Sequence, residues 1–157
     1  MHTIALFSDT HGSTFTMNTA LAEISANDLT VIHLGDGAEE AGRLMMHHPE
    51  AAYLAVRGNC DGGSHLPLSR TVEICGVRIM LAHGHEFGVK SSLAPAARAA
   101  ANAGASFFFY GHTHIPADDT IEVGERPVRL INPGAALLGK WAEIVICDGD
   151  VSVKLHP

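Results

Sequence analysis

Ile4-Ala5-Leu6-Phe7-Ser8-Asp9-Thr10-His11-Gly12 sets the fold: a short apolar run stops at a polar loop closed by glycine. Met17, Leu21 and Ile24 then recur at helical spacing, so strand, loop and helix form the first unit. Leu29 to Leu34 repeats the pattern, running into Gly35-Asp36-Gly37 and a helix around Glu39 to His48 that carries Leu44 and Met45. Ala51 to Val56 follows and ends at Gly58-Asn59-Cys60-Asp61. Strands that each stop at a Gly-containing loop, with helices between them, predict a parallel βαβ arrangement.

Beyond Pro67 the pattern changes. Thr71–Cys75 and Val77–Ala82, separated only by Gly76, predict a tight antiparallel hairpin that delivers His83-Gly84-His85. Ser91 to Ala103 is alanine-rich and helical by propensity, with Pro95 tolerable in a first turn. Ser106-Phe107-Phe108-Phe109-Tyr110 predicts a core strand ending at Gly111-His112-Thr113-His114. Residues 119–123, 128–131, 141–147 and 151–155 predict a β-meander, with Asn132-Pro133-Gly134 as a turn under the loops that close the strands. Helices must cover the outer faces of such sheets, so we expect a four-layer α/β sandwich.

The 157 residues fit one domain, 1–157, and 46% hydrophobic against 17% charged residues allow a sizeable core. Histidine is in excess, 11 residues against 10 Lys and Arg together, in a chain of net charge −7. That balance excludes generic nucleic-acid binding, which needs basic residues to displace counterions. Cys60, Cys75 and Cys147 are widely spaced and form no disulfide framework, the N-terminus has no basic leader, and no apolar run approaches a membrane span. The expectation is a cytoplasmic protein without a membrane partner; a homo-oligomer stays open.

Ligands gather at the carboxyl ends of parallel strands. Each such loop here carries a side chain of metal-ligand type: Asp9 and His11, Asp36, Asn59 and Asp61, His83, then His112 and His114. Singly, each is explained as well by a turn or a solvated polar residue. Their order is what counts, since Asp9, Asp36, Asn59, His83 and His112 follow one another at one strand unit each. His33 could support this group or lie in the core, Arg57 could meet a phosphate or solvent, and His2, His47, His48, His65 and His156 are expected at the surface.

Asp-x-His, Gly-Asp, Gly-Asn-x-Asp, His-Gly-His and Gly-His-x-His in this order resemble the calcineurin-like metallophosphoesterase superfamily. The short length, Leu81-Ala82-His83-Gly84-His85 and Asn132-Pro133-Gly134 are similar to its small prokaryotic phosphodiesterase branch. The resemblance implies an αββα sandwich with two mixed sheets and a dinuclear metal centre. One ion would take Asp9, His11 and His114, the other Asn59, His83 and His112, with Asp36 bridging. Four imidazoles, two carboxylates and an amide suit manganese, iron, cobalt, nickel or zinc rather than calcium or Cu(I), and two divalent ions are expected, manganese first and iron, zinc, nickel or cobalt as alternatives. The implied activity is hydrolysis of small phosphate diesters by a hydroxide bridging the two ions, with Asp36, Asn59, Asp61 and His85 as catalytic residues.

The sequence departs from the family at Cys60, which stands where many members carry the histidine that assists the leaving group. A thiol beside cations is a poor acid. Water or His85 would then serve, and substrates with good leaving groups are expected; a small filler is the other reading of Cys60. A phosphomonoesterase, and a non-catalytic scaffold like the retromer subunit of this fold, remain the alternative functions. A scaffold has no need of a complete ligand set.

Overall fold

The computed structural model describes residues 1–157. Strands β1 (His2–Phe7), β2 (Leu29–His33) and β3 (Ala52–Ala55) alternate with helices α1 (Phe15–Glu23) and α2 (Ala38–His47). The hairpin β4 (Ser69–Ile74) and β5 (Val77–Ala82) comes next, then α3 (Ala94–Asn102) and β6 (Phe107–Phe109). Strands β7 (Ala117–Val123), β8 (Arg126–Asn132), β9 (Trp141–Cys147) and β10 (Asp150–His156) complete the chain. One five-stranded sheet has the order β10-β9-β1-β2-β3, the other β4-β5-β6-β8-β7.

Both sheets are mixed, with a parallel centre. β1, β2 and β3 run parallel, as do β5, β6 and β8, while β9 and β10 in one sheet and β4 and β7 in the other pair antiparallel. Strand alternation produces the layers. In β1, Ile4 and Leu6 join Ile32, Leu34, Ile79, Leu81, Phe109, Ile131 and Ile144 between the sheets. Ala5 and Phe7 face the other way, onto Met17 of α1 and Leu44 of α2. Phe108 and Tyr110 likewise face Ala96, Ala97 and Ala100 of α3. The expected four-layer αββα sandwich is therefore present.

The expected β-meander is not. β7 and β8 belong to one sheet and β9 and β10 to the other. Pro133 lacks the N–H that would continue the ladder and Gly134 has φ +81°, so the chain leaves the sheet there. The short 3₁₀ turn Ala136–Leu138 then carries it across to pair β9 with β1. The β4–β5 turn also has two residues rather than one: Ile74 pairs with Val77, and Cys75 and Gly76 both take positive φ, the backbone a primed hairpin turn requires. Asp148-Gly149 repeats this between β9 and β10. His156, expected at the surface, stacks on Trp141 at 3.8 Å between ring centroids.

This topology brings the carboxyl ends of six parallel strands, three from each sheet, to one edge. Loops 8–12, 34–37, 57–61, 83–85, 110–114 and 132–134 all emerge there. Hydrogen bonds stitch them together, including Asp9 N–H to Gly35 C=O (3.0 Å), His11 N–H to Asp36 C=O (3.1 Å) and Gly111 N–H to His83 C=O (3.0 Å). Phe109 is fully buried between the sheets whereas Phe107 is only partly buried. Phe109→Ala is therefore expected to cost about 3–5 kcal/mol in urea unfolding and Phe107→Ala clearly less; equal losses would contradict this inward packing.

Candidate metal centre

Asp9 is completely buried at the end of β1. Its Oδ2 accepts from the Ser8 hydroxyl (2.7 Å) and the His112 N–H (3.1 Å). Its Oδ1 faces three imidazoles, with His114 Nε2 at 3.1 Å, His11 Nε2 at 3.6 Å and His83 Nε2 at 3.8 Å. Asp36, from the end of β2, accepts the Cys60 N–H on Oδ1 (2.8 Å) and turns Oδ2 between His83 Nε2 (3.2 Å) and His11 Nε2 (3.9 Å). One oxygen of Asp36 thus lies between the two halves of the basin.

His83 is fully buried, and its Nδ1 donates to the Leu34 carbonyl at 2.8 Å. That bond leaves Nε2 as the basin-facing nitrogen, a metal donor in the neutral ring and a site the Asp36 carboxylate at 3.2 Å otherwise favours protonating. His11 and His114 point ring nitrogens at each other at 3.4 Å, and the His112 ring lies edge-on to His83 at 5.0 Å between centroids. Ligand atoms of Asp9, His11 and His114 lie within 4.8 Å of one another, as do those of Asp36, His83 and His112. No lysine or arginine is paired with Asp9 or Asp36. Two buried carboxylates without a fixed cation, and a buried imidazole with an idle lone pair, fit divalent metal ions.

The electrostatics have the same origin. Burial disfavours ionised Asp36, yet the His83 imidazole and the Cys60 N–H outweigh it and hold the carboxyl well below its usual range. Burial opposes a charge on His83 too, but the Asp36 and Asp9 carboxylates prevail and raise its pKa. His112 is lowered by burial and by the neighbouring His83 and Lys90. Cys60, exposed at the rim, has its thiol pushed up by desolvation and by Asp36. Without a cation beside it the thiol therefore keeps its proton, and its exposure removes the reading of Cys60 as a partly buried filler.

The backbone is bent to make this basin. Seven non-glycine residues have φ between +43° and +66°; two sit in hairpin turns and the other five are Asp9, His11, Asp36, His112 and His114. Left-handed backbone is costly for side chains of this kind and concentrates where the surroundings enforce it, commonly at functional sites. Glycines permit the close approach: a Cβ on Gly58 would lie 2.6 Å from the Asp36 nitrogen, and one on Gly111 would lie 2.8 Å from Asp9 Oδ2.

The other candidates divide. Asp61 does not face the basin: its carboxylate accepts N–H bonds from Asp36 (2.8 Å), Gly37 (3.0 Å), Ala38 (3.0 Å) and Gly58 (2.7 Å), which fills its lone-pair sites. It braces loop 34–37 and the start of α2. Asn59 is exposed at the rim, its amide 3.5 Å from Cys60 Sγ. His85 lies beside the group, 5.5 Å from His83 and 6.1 Å from His112 by ring centroids. Arg57 reaches the Ser64 carbonyl instead of the basin. His33 is buried, accepts from Gly35 N–H and bonds Thr10 Oγ1, with burial pulling its pKa down to about 4.

Sequence reasoning missed Ser8 and understated Asn132. The buried Asn132 amide donates to Gly111 C=O and Thr113 Oγ1, both at 2.9 Å, and its oxygen accepts from Gly134 N–H at 2.8 Å. It thereby ties the histidine loop to the turn after β8. Only its place at a strand end, before Pro-Gly, could have signalled this.

Known proteins resemble this chain over most of its length. The model of the calcineurin-like phosphoesterase superfamily domain matches residues 2–151. A probable metallophosphoesterase of Bacillus subtilis, YsnB, is 29% identical over 136 residues, covering 86% of this chain and 75% of its own. A predicted phosphoesterase of Streptococcus pneumoniae superposes with TM-score 0.78 at 23% identity, over 98% of this chain and 88% of that one. A structure described as a novel archaeal phosphodiesterase does so with TM-score 0.69 at 23% identity, over 98% and 99%. No helix is long and apolar enough to cross a membrane. With the match spanning nearly its whole length, the chain belongs to the calcineurin-like phosphoesterase superfamily.

Proposed function

We propose that this chain is a metal-dependent phosphodiesterase of small phosphate diesters, working on a dinuclear centre. The observation that carries the reading is Asp36 Oδ2, set between His83 Nε2 at 3.2 Å and His11 Nε2 at 3.9 Å, one from each group of ligands. Asp9, His11 and His114 would hold one ion and Asn59, His83 and His112 the other, with Asp36 shared. Bound divalent ions supply Lewis acidity for the phosphoryl oxygens and an activated water as nucleophile.

The chain's own residues do the rest. Asp9 and Asp36 anchor the positive charge that attracts a phosphate ester, and Asp61 and Asn132 hold the ligand loops in place. The flank of the basin is acidic, with Glu39 and Glu40 near His11 and Cys60. A diester, carrying one negative charge, meets less repulsion there than a doubly charged monoester.

Turnover of bis-p-nitrophenyl phosphate with added Mn²⁺ should exceed that of the mono ester; a strong monoester preference would reverse the assignment. Asp36→Asn and His114→Ala should each lose bound metal and lower turnover by at least about 100-fold. Full activity in either variant would exclude the two-metal reading, and metal binding without any hydrolysis would favour the scaffold. Cys60→His should raise turnover selectively on esters with poor leaving groups, read as a shallower dependence of rate on leaving-group pKa; an unchanged slope would remove Cys60 from the chemistry.

A further inference from the structure

The loop after β3 places a thiol where the ligand set needs none. The Sγ of Cys60, a ring nitrogen of His11 and a carboxylate oxygen of Asp36 all lie within 4.8 Å of one another. Two atoms bound to a common zinc-like ion are at most about 4.4 Å apart, so small side-chain rotations bring all three onto one ion. The Cys60 N–H bond to Asp36 Oδ1 (2.8 Å) fixes the main chain against that carboxylate, and Sγ accepts from the Asn59 amide at 3.5 Å. On the far side of the same carboxylate, the fully buried His83 Nε2 lies 3.2 Å from Asp36 Oδ2 with no hydrogen-bond partner, placed as a ligand atom of the neighbouring ion.

We propose that Cys60 is a thiolate ligand to the metal ion on the His11 side of the centre and biases that position toward Zn²⁺ or Co²⁺ over Mn²⁺. On binding, the thiol proton passes to solvent and the sulfur lone pair forms the metal bond. Manganese suits oxygen and nitrogen donors, whereas thiolate favours zinc-like ions. The proposal rests on the metal-centre reading above and adds Cys60 to the His11 and Asp36 side of that centre. Cys75, in the β4–β5 turn, and Cys147, at the end of β9, are exposed free thiols outside the centre and serve as internal controls.

The test is anaerobic titration of the reduced, metal-free protein with Co²⁺, followed by absorption. Visible d–d bands report cobalt in the centre, and a near-ultraviolet thiolate-to-cobalt charge-transfer band reports the sulfur ligand. The wild type should show both. Cys60→Ala and Cys60→Ser should keep the visible bands and lose the charge-transfer band, while Cys75→Ser and Cys147→Ser keep both. In competition, the Zn²⁺ to Mn²⁺ affinity ratio should fall at least about tenfold in Cys60→Ala. Visible bands without charge transfer in the wild type would overturn the thiolate ligand and leave the metal centre standing. A protein that takes up no cobalt would overturn the metal centre and the thiolate ligand together.

Discussion

Two buried carboxylates at the seam between the sheets are the constraint around which the rest is arranged. Asp9 and Asp36 come from adjacent parallel strands and both face Nε2 of the His83 imidazole, which reaches them from the opposite sheet. No lysine or arginine is paired with them. A low-dielectric interior would normally neutralise or expel such groups. Here hydrogen bonds from Ser8 and His112 hold Asp9 in place, and the Cys60 N–H together with His83 keeps Asp36 ionised. A pocket of fixed negative charge with imidazole lone pairs turned inward has divalent cations as its natural complement.

Holding that arrangement requires backbone that the sequence would not adopt by itself. Five of the candidate ligands have left-handed φ, so each would relax if its loop were free. They are restrained by residues that take no part in the proposed chemistry. Asp61 spends its carboxylate on four backbone N–H groups, Asn132 ties the loop after β6 to the one after β8, and glycines at 58 and 111 let loops from different strands touch. Asp61 is therefore better understood as a brace than as a group acting on substrate. Strain at the ligands and rigidity beneath them are two sides of the same construction.

The basin is graded from floor to rim. Asp9, Asp36 and His83 are buried, whereas His11, His114, Asn59 and Cys60 are open to solvent, so an incoming ester would meet the outer side chains first. Cys60 is the most individual of these. Its sulfur lies within 4.8 Å of ligand atoms of His11 and Asp36, so whatever it does is coupled to those two side chains.

The sequence alone determined the βαβ half, the hairpin, the aromatic strand and the sandwich class, because period-two and helical hydrophobic patterns are local properties of the chain. It also put Asp9, His11, Asp36, Asn59, His83, His112 and His114 at strand ends, since a strand that stops at a polar glycine loop is visible residue by residue. Tertiary structure alone decided which strands share a sheet. The last four strands split in pairs between the two sheets because β8 finds its partner in β6 and β9 finds its own in β1, and such long-range pairing leaves no local trace. The same holds for Asp61 and Asn132: a polar residue in a loop reads identically whether its side chain faces a metal or backbone amides. Direction is set by packing between distant segments, and only the folded chain specifies it.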